Sequence, residues 1–163
     1  MTELTVRLAG PDDVSALAAL IRQQDAHYCE GDPGADRAER AVRRWIAADG
    51  ALGRFAIAYA GGVAAGFAAF AIVHPGEDLS GLVFMKDLFV TETDRGCGTG
   101  KAIMRSLSAF CVENGICRID FPTDLTHAEA QTFYRWLGAK RLKQAGYHRL
   151  TGDALLALAI DKA

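Results

Sequence analysis

The chain has 163 residues, half of them hydrophobic, and a formal charge of −2 from 18 basic and 20 acidic side chains. That length suits a single domain, 1–163, that buries about 70% of its unfolded surface. Lysines and arginines read as scattered and no apolar run nears the ~20 residues that span a bilayer, which argues against nucleic-acid and membrane partners.

Leu4 to Leu8 alternates and predicts a first strand. Pro11-Asp12-Asp13 opens a helix, since proline suits a first turn and aspartates suit its positive end. Val14, Leu17, Ala18, Leu20 and Ile21 form its apolar stripe. Gln23 to Pro33 reads as a polar loop after that helix, with Asp25, His27, Tyr28, Cys29, Glu30 and Asp32. Ala35 to Ala48 predicts a second helix, with Ala38, Ala41, Val42, Trp45 and Ile46 inward. Phe55 to Ala60 and Val63 to Val73 flank Gly61-Gly62, a hairpin signal. Leu82 to Thr91 is the next strand, Gly98 to Cys111 a helix and Cys117 to Phe121 a strand. Thr126 to Leu137 predicts a helix with Thr126 as N-cap, Glu129 completing a capping box and Gly138 as C-cap. Short strands at Lys140 to Lys143 and Tyr147 to Leu150 follow, then a helical turn at Asp153 to Ala159. The order β-α-α-β-β-β-α-β-α-β is mixed α/β.

The chemistry concentrates in VFMKDLFVTETDRGCGTGKAIM, residues 83–104. Glycines here strip side chains from the chain where a helix begins. Backbone N–H groups can then face an anion, and the helix dipole adds roughly half a positive charge. Three phosphate-binding patterns compete. The P-loop needs Gly, four residues, then Gly-Lys-Ser/Thr; Ala102 replaces the hydroxyl and Arg95 the first glycine. The dinucleotide pattern needs a third glycine where Lys101 stands, and Thr91 to Asp94 separate strand from glycines.

The third pattern, Arg95-x-x-Gly98-x-Gly100 after a strand and an acidic turn, resembles the acetyl-CoA loop of the GNAT N-acetyltransferase superfamily. Downstream, His127-Ala128-Glu129-Ala130-Gln131-Thr132-Phe133-Tyr134-Arg135-Trp136-Leu137-Gly138-Ala139 resembles its second motif, Asn-x-x-Ala-x-x-Phe-Tyr-x-x-x-Gly. The resemblance is strong from about residue 82 to 140 and nearest in motif to the diamine-acetyltransferase branch. It implies the GNAT acyl-CoA N-acyltransferase fold, a mixed, mostly antiparallel twisted sheet flanked by helices. The implied activity moves acetyl from acetyl-CoA to a primary amine, of a small molecule or a protein, directly within a ternary complex. The alternative reading is an acyl-CoA-binding module without catalysis.

The resemblance also distributes roles. Arg95, Gly96, Cys97, Gly98, Thr99, Gly100 and Lys101 would cradle the pyrophosphate. Leu88, Phe89 and Val90 would pair with the pantetheine arm, and an N–H near Phe89 or Val90 would stabilise the oxyanion. Tyr134 would protonate the leaving thiolate, with His127 and Ala130 beside CoA. A base is harder to assign. Holding a lysine-like amine neutral at pH 7 costs about 4–5 kcal/mol, its pKa being about 10.4. Asp87 and Glu30 are the catalytic candidates, with His27 a further candidate base. His27, Tyr28, Glu30 and Lys86 are the acceptor-side residues.

The diamine branch reads Leu-Glu-Asp-Phe-Phe-Val where this chain has Met85-Lys86-Asp87-Leu88-Phe89-Val90, so Lys86 replaces a carboxylate. Strand alternation would send Lys86 and Asp87 to opposite faces. The acids Asp25, Glu30 and Asp32 hint at a cationic acceptor, while Lys86 pulls toward one that also carries an anion. Four cysteines without C-x-x-C spacing point to reduced thiols and a cytoplasmic location. Dispersed histidines indicate no metal site. MTELTVRLAGPDD is not a signal peptide, and a homodimer is compatible with the family resemblance.

Overall fold

The computed structural model describes residues 3–28, 31–47, 53–76 and 79–160. It divides into two compact units, Met1–Phe121 and Pro122–Ala163.

The first unit holds a five-stranded sheet in chain order: β1 (Leu4–Leu8), β2 (Arg54–Ala60), β3 (Val63–Val73), β4 (Leu82–Val90) and β5 (Ile119–Asp120). β1 to β4 run antiparallel, and β5 lies parallel to β4. This is the mixed, mostly antiparallel α/β sheet that the sequence implies. β5 is shorter than the Cys117 to Phe121 strand expected, pairing with β4 at two positions only.

Three helices flank the sheet: α1 (Val14–His27), α2 (Ala35–Ala47) and α3 (Thr99–Glu113). α1 runs a turn further than the sequence suggests, because Gln23 to His27 holds neither glycine nor proline to stop it. Asp25 and His27 are therefore helical rather than loop residues. On one side of the sheet, Leu17 and Leu20 of α1 and Val42 of α2 meet Phe55, Ile57, Phe67 and Phe89 in a continuous core. Full burial of each large apolar side chain is worth about 1.5–3 kcal/mol. Trp45, expected inside, stacks its ring on Phe55 but stays 44% exposed. On the other side, Ile103, Met104, Leu107 and Cys111 of α3 are buried, and Phe110 meets Phe70 edge-on. Burial pushes the Cys111 thiol above its ordinary pKa. Gly66 makes this packing possible: a Cβ there would sit 2.5 Å from the Phe89 carbonyl oxygen and 3.3 Å from Ile103.

Asp13 is a structural residue that the pattern of helix-start acids does not distinguish. It is buried at the start of α1 and receives Arg7 in a two-pronged pair at 2.6 and 2.7 Å. The Tyr59 hydroxyl donates to it at 2.6 Å and the Gly10 N–H at 2.7 Å. Burial pushes this carboxyl up, but the hydrogen bonds together outweigh it and hold it below its ordinary pKa. Burial, with donation to Asp13, pushes Tyr59 up to about 12.

The second unit holds α4 (Ala128–Trp136) and α5 (Gly152–Ile160). The N-cap of α4 is His127 and no side chain caps it. Thr126 instead bonds Asp124 Oδ1 through both its amide and its hydroxyl, so the expected capping box does not form. Gly138, at φ +90°, does follow the helix end, its N–H donating to the Arg135 carbonyl. The two expected strands are absent: 139–151 has no helix or strand, and Leu142 and Tyr147 are exposed. Four-residue arms forming an isolated hairpin are too weak to hold in water.

Candidate active site

β4 changes partners along its length. Toward β5 it pairs only at Val83 and Phe84, so among the described residues no strand covers this edge from Met85 to Val90. Which backbone groups use that edge follows from the other side. The Thr91 N–H donates to the Ala65 carbonyl at 2.9 Å, and Val90 lies opposite Gly66. Val90 is therefore in a non-hydrogen-bonded pair with β3, and its N–H and C=O point to the uncovered edge, as do those of Leu88. The N–H of Phe89 points to β3 instead. Arg95 agrees with this assignment: its Nε donates to the Val90 carbonyl at 3.2 Å.

The chain then turns tightly. The hydroxyls of Thr91 and Thr93 donate to or lie against the Asp94 carboxylate at 2.6 and 3.0 Å. Gly96 and Gly98 adopt φ +74° and +91°, a region costing other residues roughly 1–2 kcal/mol. The first intrahelical bond runs from the Ala102 N–H to the Gly98 carbonyl at 2.9 Å, and no side chain caps α3. The amides of Gly98, Thr99 and Gly100 thus precede the helical ladder at the positive end of its dipole. A Cβ on Gly96 or Gly98 would meet no protein atom within 4 Å. Thr99 is buried as a whole residue, 2% exposed. Cys97 is an exposed free thiol donating to the Arg95 carbonyl at 3.6 Å, and Lys101 lies exposed in the first turn of α3.

Lys86 and Asp87 depart from simple alternation. Ala69 pairs with Asp87 and Phe70 with Met85, so Lys86 is an extra, bulged residue. Met85 consequently lies with Phe70 on the α3 face. Asp87 lies opposite Ala69, which packs on the core under α1 and α2. Rather than facing opposite sides, Lys86 and Asp87 form an ion pair at 2.7 Å. His27 and Tyr28 are exposed at the end of α1, their rings edge-to-face at 5.1 Å. Glu30 and Cys29 lie outside the described residues. Asp32 is held by Arg22 at 2.8 and 2.6 Å and by the Gly34 N–H, which keeps its carboxyl well below the usual range.

The second unit carries the other motif. Ala130, Phe133, Tyr134 and Leu137 are partly buried at helical spacing along one face of α4. Tyr134 meets Phe133 edge-on at 5.2 Å, and its carbonyl accepts from the Ala139 N–H. His127 is exposed; its N–H donates to the Asp124 carbonyl, and its carbonyl accepts from the Gln131 N–H.

A mixed sheet whose central strand frees its backbone just before a glycine-rich helix start has the architecture of an N-acyltransferase. The sequence profile of the acetyltransferase (GNAT) family matches residues 18–139, and the chain belongs to that family. L-ornithine N5-acetyltransferase NATA1 of Arabidopsis thaliana is 33% identical over 100 residues, a stretch covering 61% of this chain and 43% of that protein. An integron cassette protein from the mobile metagenome of V. cholerae has the same fold with a TM-score of 0.82 and 26% identity, covering 97% of this chain and 98% of its own. An aminoglycoside N-acetyltransferase, AAC(6')-Iy, solved with CoA, superimposes with a TM-score of 0.74 at 22% identity, covering 91% of this chain and 95% of that one. Among the described residues, no helix is long and apolar enough to cross a membrane.

Proposed function

We propose that this chain is an acetyl-CoA-dependent N-acetyltransferase that moves the acetyl group directly, within a ternary complex, to the primary amine of a small molecule. The observation that carries the proposal is the uncovered edge of β4 at Leu88 and Val90 leading straight into the glycine-rich start of α3. The amide-bearing pantetheine arm fits such an edge as an added strand. Its pyrophosphate then meets the amides of Gly96 to Lys101, with Arg95 and Lys101 adding charge. The Val90 N–H is the donor aimed at the thioester oxygen as it becomes an oxyanion. Carbon–nitrogen bond formation releases an amine proton, and carbon–sulfur cleavage releases a thiolate. In this reading Tyr134 protonates the thiolate, and Asp87 or Glu30 takes the amine proton. His127 and Ala130 flank the cofactor, and His27 and Tyr28 border the acceptor.

The family profile runs through both compact units, which supports their serving one catalytic domain. A small-amine acceptor is supported by the ornithine acetyltransferase relative. Reduced cysteines fit the cytoplasm. The test is thiol release from acetyl-CoA across a panel of amines, with the N-acetyl product weighed by mass spectrometry. Amine-dependent release matched by product is expected. CoA binding without turnover on any amine would reassign the chain as an acyl-CoA-binding module, and absence of CoA binding would sink both.

A further inference from the structure

α1 and α2 pack side by side, and a cleft of about 1240 Å³ opens between them. Ile21, Ala41 and Trp45 give it apolar walls, and its charged lining is dominated by Arg37, Arg40, Arg43 and Arg44 of α2. The basic side chains are therefore not scattered: one 13-residue helix holds four of the chain's 18 lysines and arginines. Like charges three or four residues apart on a helix repel one another. Asp36 and Glu39 stand four residues before Arg40 and Arg43, a spacing suited to pairing. Nonetheless, none of the four arginines makes an ion pair or side-chain hydrogen bond among the described residues.

Two of the three acids that hinted at a cationic acceptor are described, and they offset this charge only in part. Asp32 lines the same cleft, but Arg22 grips both its oxygens from the other helix. Asp25 is one carboxylate against four guanidinium groups. Apolar walls with unmatched guanidinium forks complement a small organic molecule bearing a planar oxyanion, which such forks bind through paired hydrogen bonds. The cleft's two helices cover the sheet face on which Asp87 lies. Leu17, Leu20, Ala38 and Val42 of its two helices share one core with Phe89 of β4, and Asp87 lies on that side of the strand.

We propose that this cleft binds an oxyanionic group of the acceptor, a carboxylate or a phosphate, so that the substrate is an amine that also carries an anion. This rests on the acetyltransferase reading and narrows its substrate. Arg37 and Arg44, with Ala41 between them on one helical stripe, are the principal readers.

Two matched pairs test it: L-ornithine against 1,4-diaminobutane, which lacks only the carboxylate, and phosphoethanolamine against ethanolamine. A preference of about tenfold or more in kcat/KM for the anionic member of at least one pair is expected, from one charge-assisted fork. Preference in the first pair identifies a carboxylate, and in the second a phosphate. In R37Q/R44Q the preference collapses toward unity, while R37K/R44K retains part of it because charge remains without the fork. Both positions are exposed, so circular dichroism should show folding intact. Equal kcat/KM within both pairs overturns the proposal and leaves acetyl transfer standing. If no amine is turned over, calorimetric titration of CoA-loaded protein with ornithine and phosphoethanolamine decides. Binding lost in R37Q/R44Q supports the cleft without the enzyme reading, and no binding of either ligand overturns it.

Discussion

The uncovered edge of β4 with its glycine turn presents backbone to a ligand, whereas the cleft between α1 and α2 presents side chains. The first can be built in few ways: amides must be bare, so glycine must hold φ +74° and +91°, and the strand must stop pairing just upstream. The second can be built in many ways, because an exposed helix face accepts almost any polar residue. Donor recognition is therefore expected to vary little across a family that shares this turn, while the acceptor is set by a handful of exchangeable side chains. Arg37 and Arg44 could become other residues without disturbing the core, but any other residue at Gly98 is strained at φ +91°.

The largest expected effect breaks the backbone side alone. Gly98→Asp places a carboxylate where the proposal puts the pyrophosphate and should weaken CoA binding at least about 100-fold, roughly 3 kcal/mol. Gly98→Ala separates the causes. Its Cβ meets no protein atom, so its cost to stability is the backbone strain of about 1–2 kcal/mol. Any further loss in CoA affinity then reports contact with the ligand. Calorimetry with CoA and thermal melts of both variants measure this. Unchanged CoA affinity in Gly98→Asp would remove the turn from the donor site.

Next in size is the chemical step. Tyr134→Phe keeps the ring that meets Phe133 and removes only the hydroxyl, so folding and CoA affinity should persist. kcat should fall about 100-fold, the lower end of the range for loss of a general acid. Equal turnover by the variant would reassign the thiolate proton to water or another group.

The sequence carried the backbone side and concealed much of the side-chain side, for physical reasons. Glycine spacing, the strand before it and the Phe-Tyr helix are local patterns, so β4, α3 and α4 were placed to within a residue or two. The bulge at Lys86 was invisible, since it arises from pairing with β3. It overturned the alternation argument that separated Lys86 from Asp87. The Arg22–Asp32 pair joins residues ten apart across a turn and neutralises one of the acids that hinted at a cationic acceptor. The arginine stripe was legible at positions 37, 40, 43 and 44, but only a helical plot would show it. The short strands expected at Lys140 to Lys143 and Tyr147 to Leu150 failed because a local stretch says nothing about whether a neighbouring strand exists.

A smaller effect concerns how the side-chain region is held. Asp13 fixes the start of α1 to β1 and β2 through Arg7 and Tyr59, away from the glycine turn. Asp13→Asn should cost about 2–3 kcal/mol, the value of charge-assisted hydrogen bonds to a buried acceptor, without altering CoA affinity. The pH dependence has a definite sign. Asp13 is depressed in the folded state, so its contribution is full above its unfolded pKa of about 3.9 and is lost as pH falls through the lower folded value. Tyr59, raised to about 12, contributes fully below about pH 10, where the unfolded chain begins to ionise, and loses that contribution as pH rises through 12. Urea unfolding of wild type and variant should therefore differ most near neutrality and converge in acid. A constant difference down to pH 2 would show that Asp13 stabilises by packing rather than charge.

The smallest effect asks whether Lys86 belongs with the arginines as a reader of charge. Its ammonium is committed to Asp87 at 2.7 Å, and three quarters of its side chain is exposed. Such an exposed pair contributes under about 1 kcal/mol, so Lys86→Gln should barely move the melting temperature. Removing one solvated cation should also narrow the preference for ornithine over 1,4-diaminobutane by at most about fivefold, since unit charges near water interact by about 1 kcal/mol at 4 Å. Arg37 and Arg44, with no competing partner, should govern most of the discrimination. If Lys86→Gln abolishes the preference while R37Q/R44Q leaves it, the bulge on β4 reads the anion, and acceptor recognition moves from the two helices to the strand proposed to hold the donor.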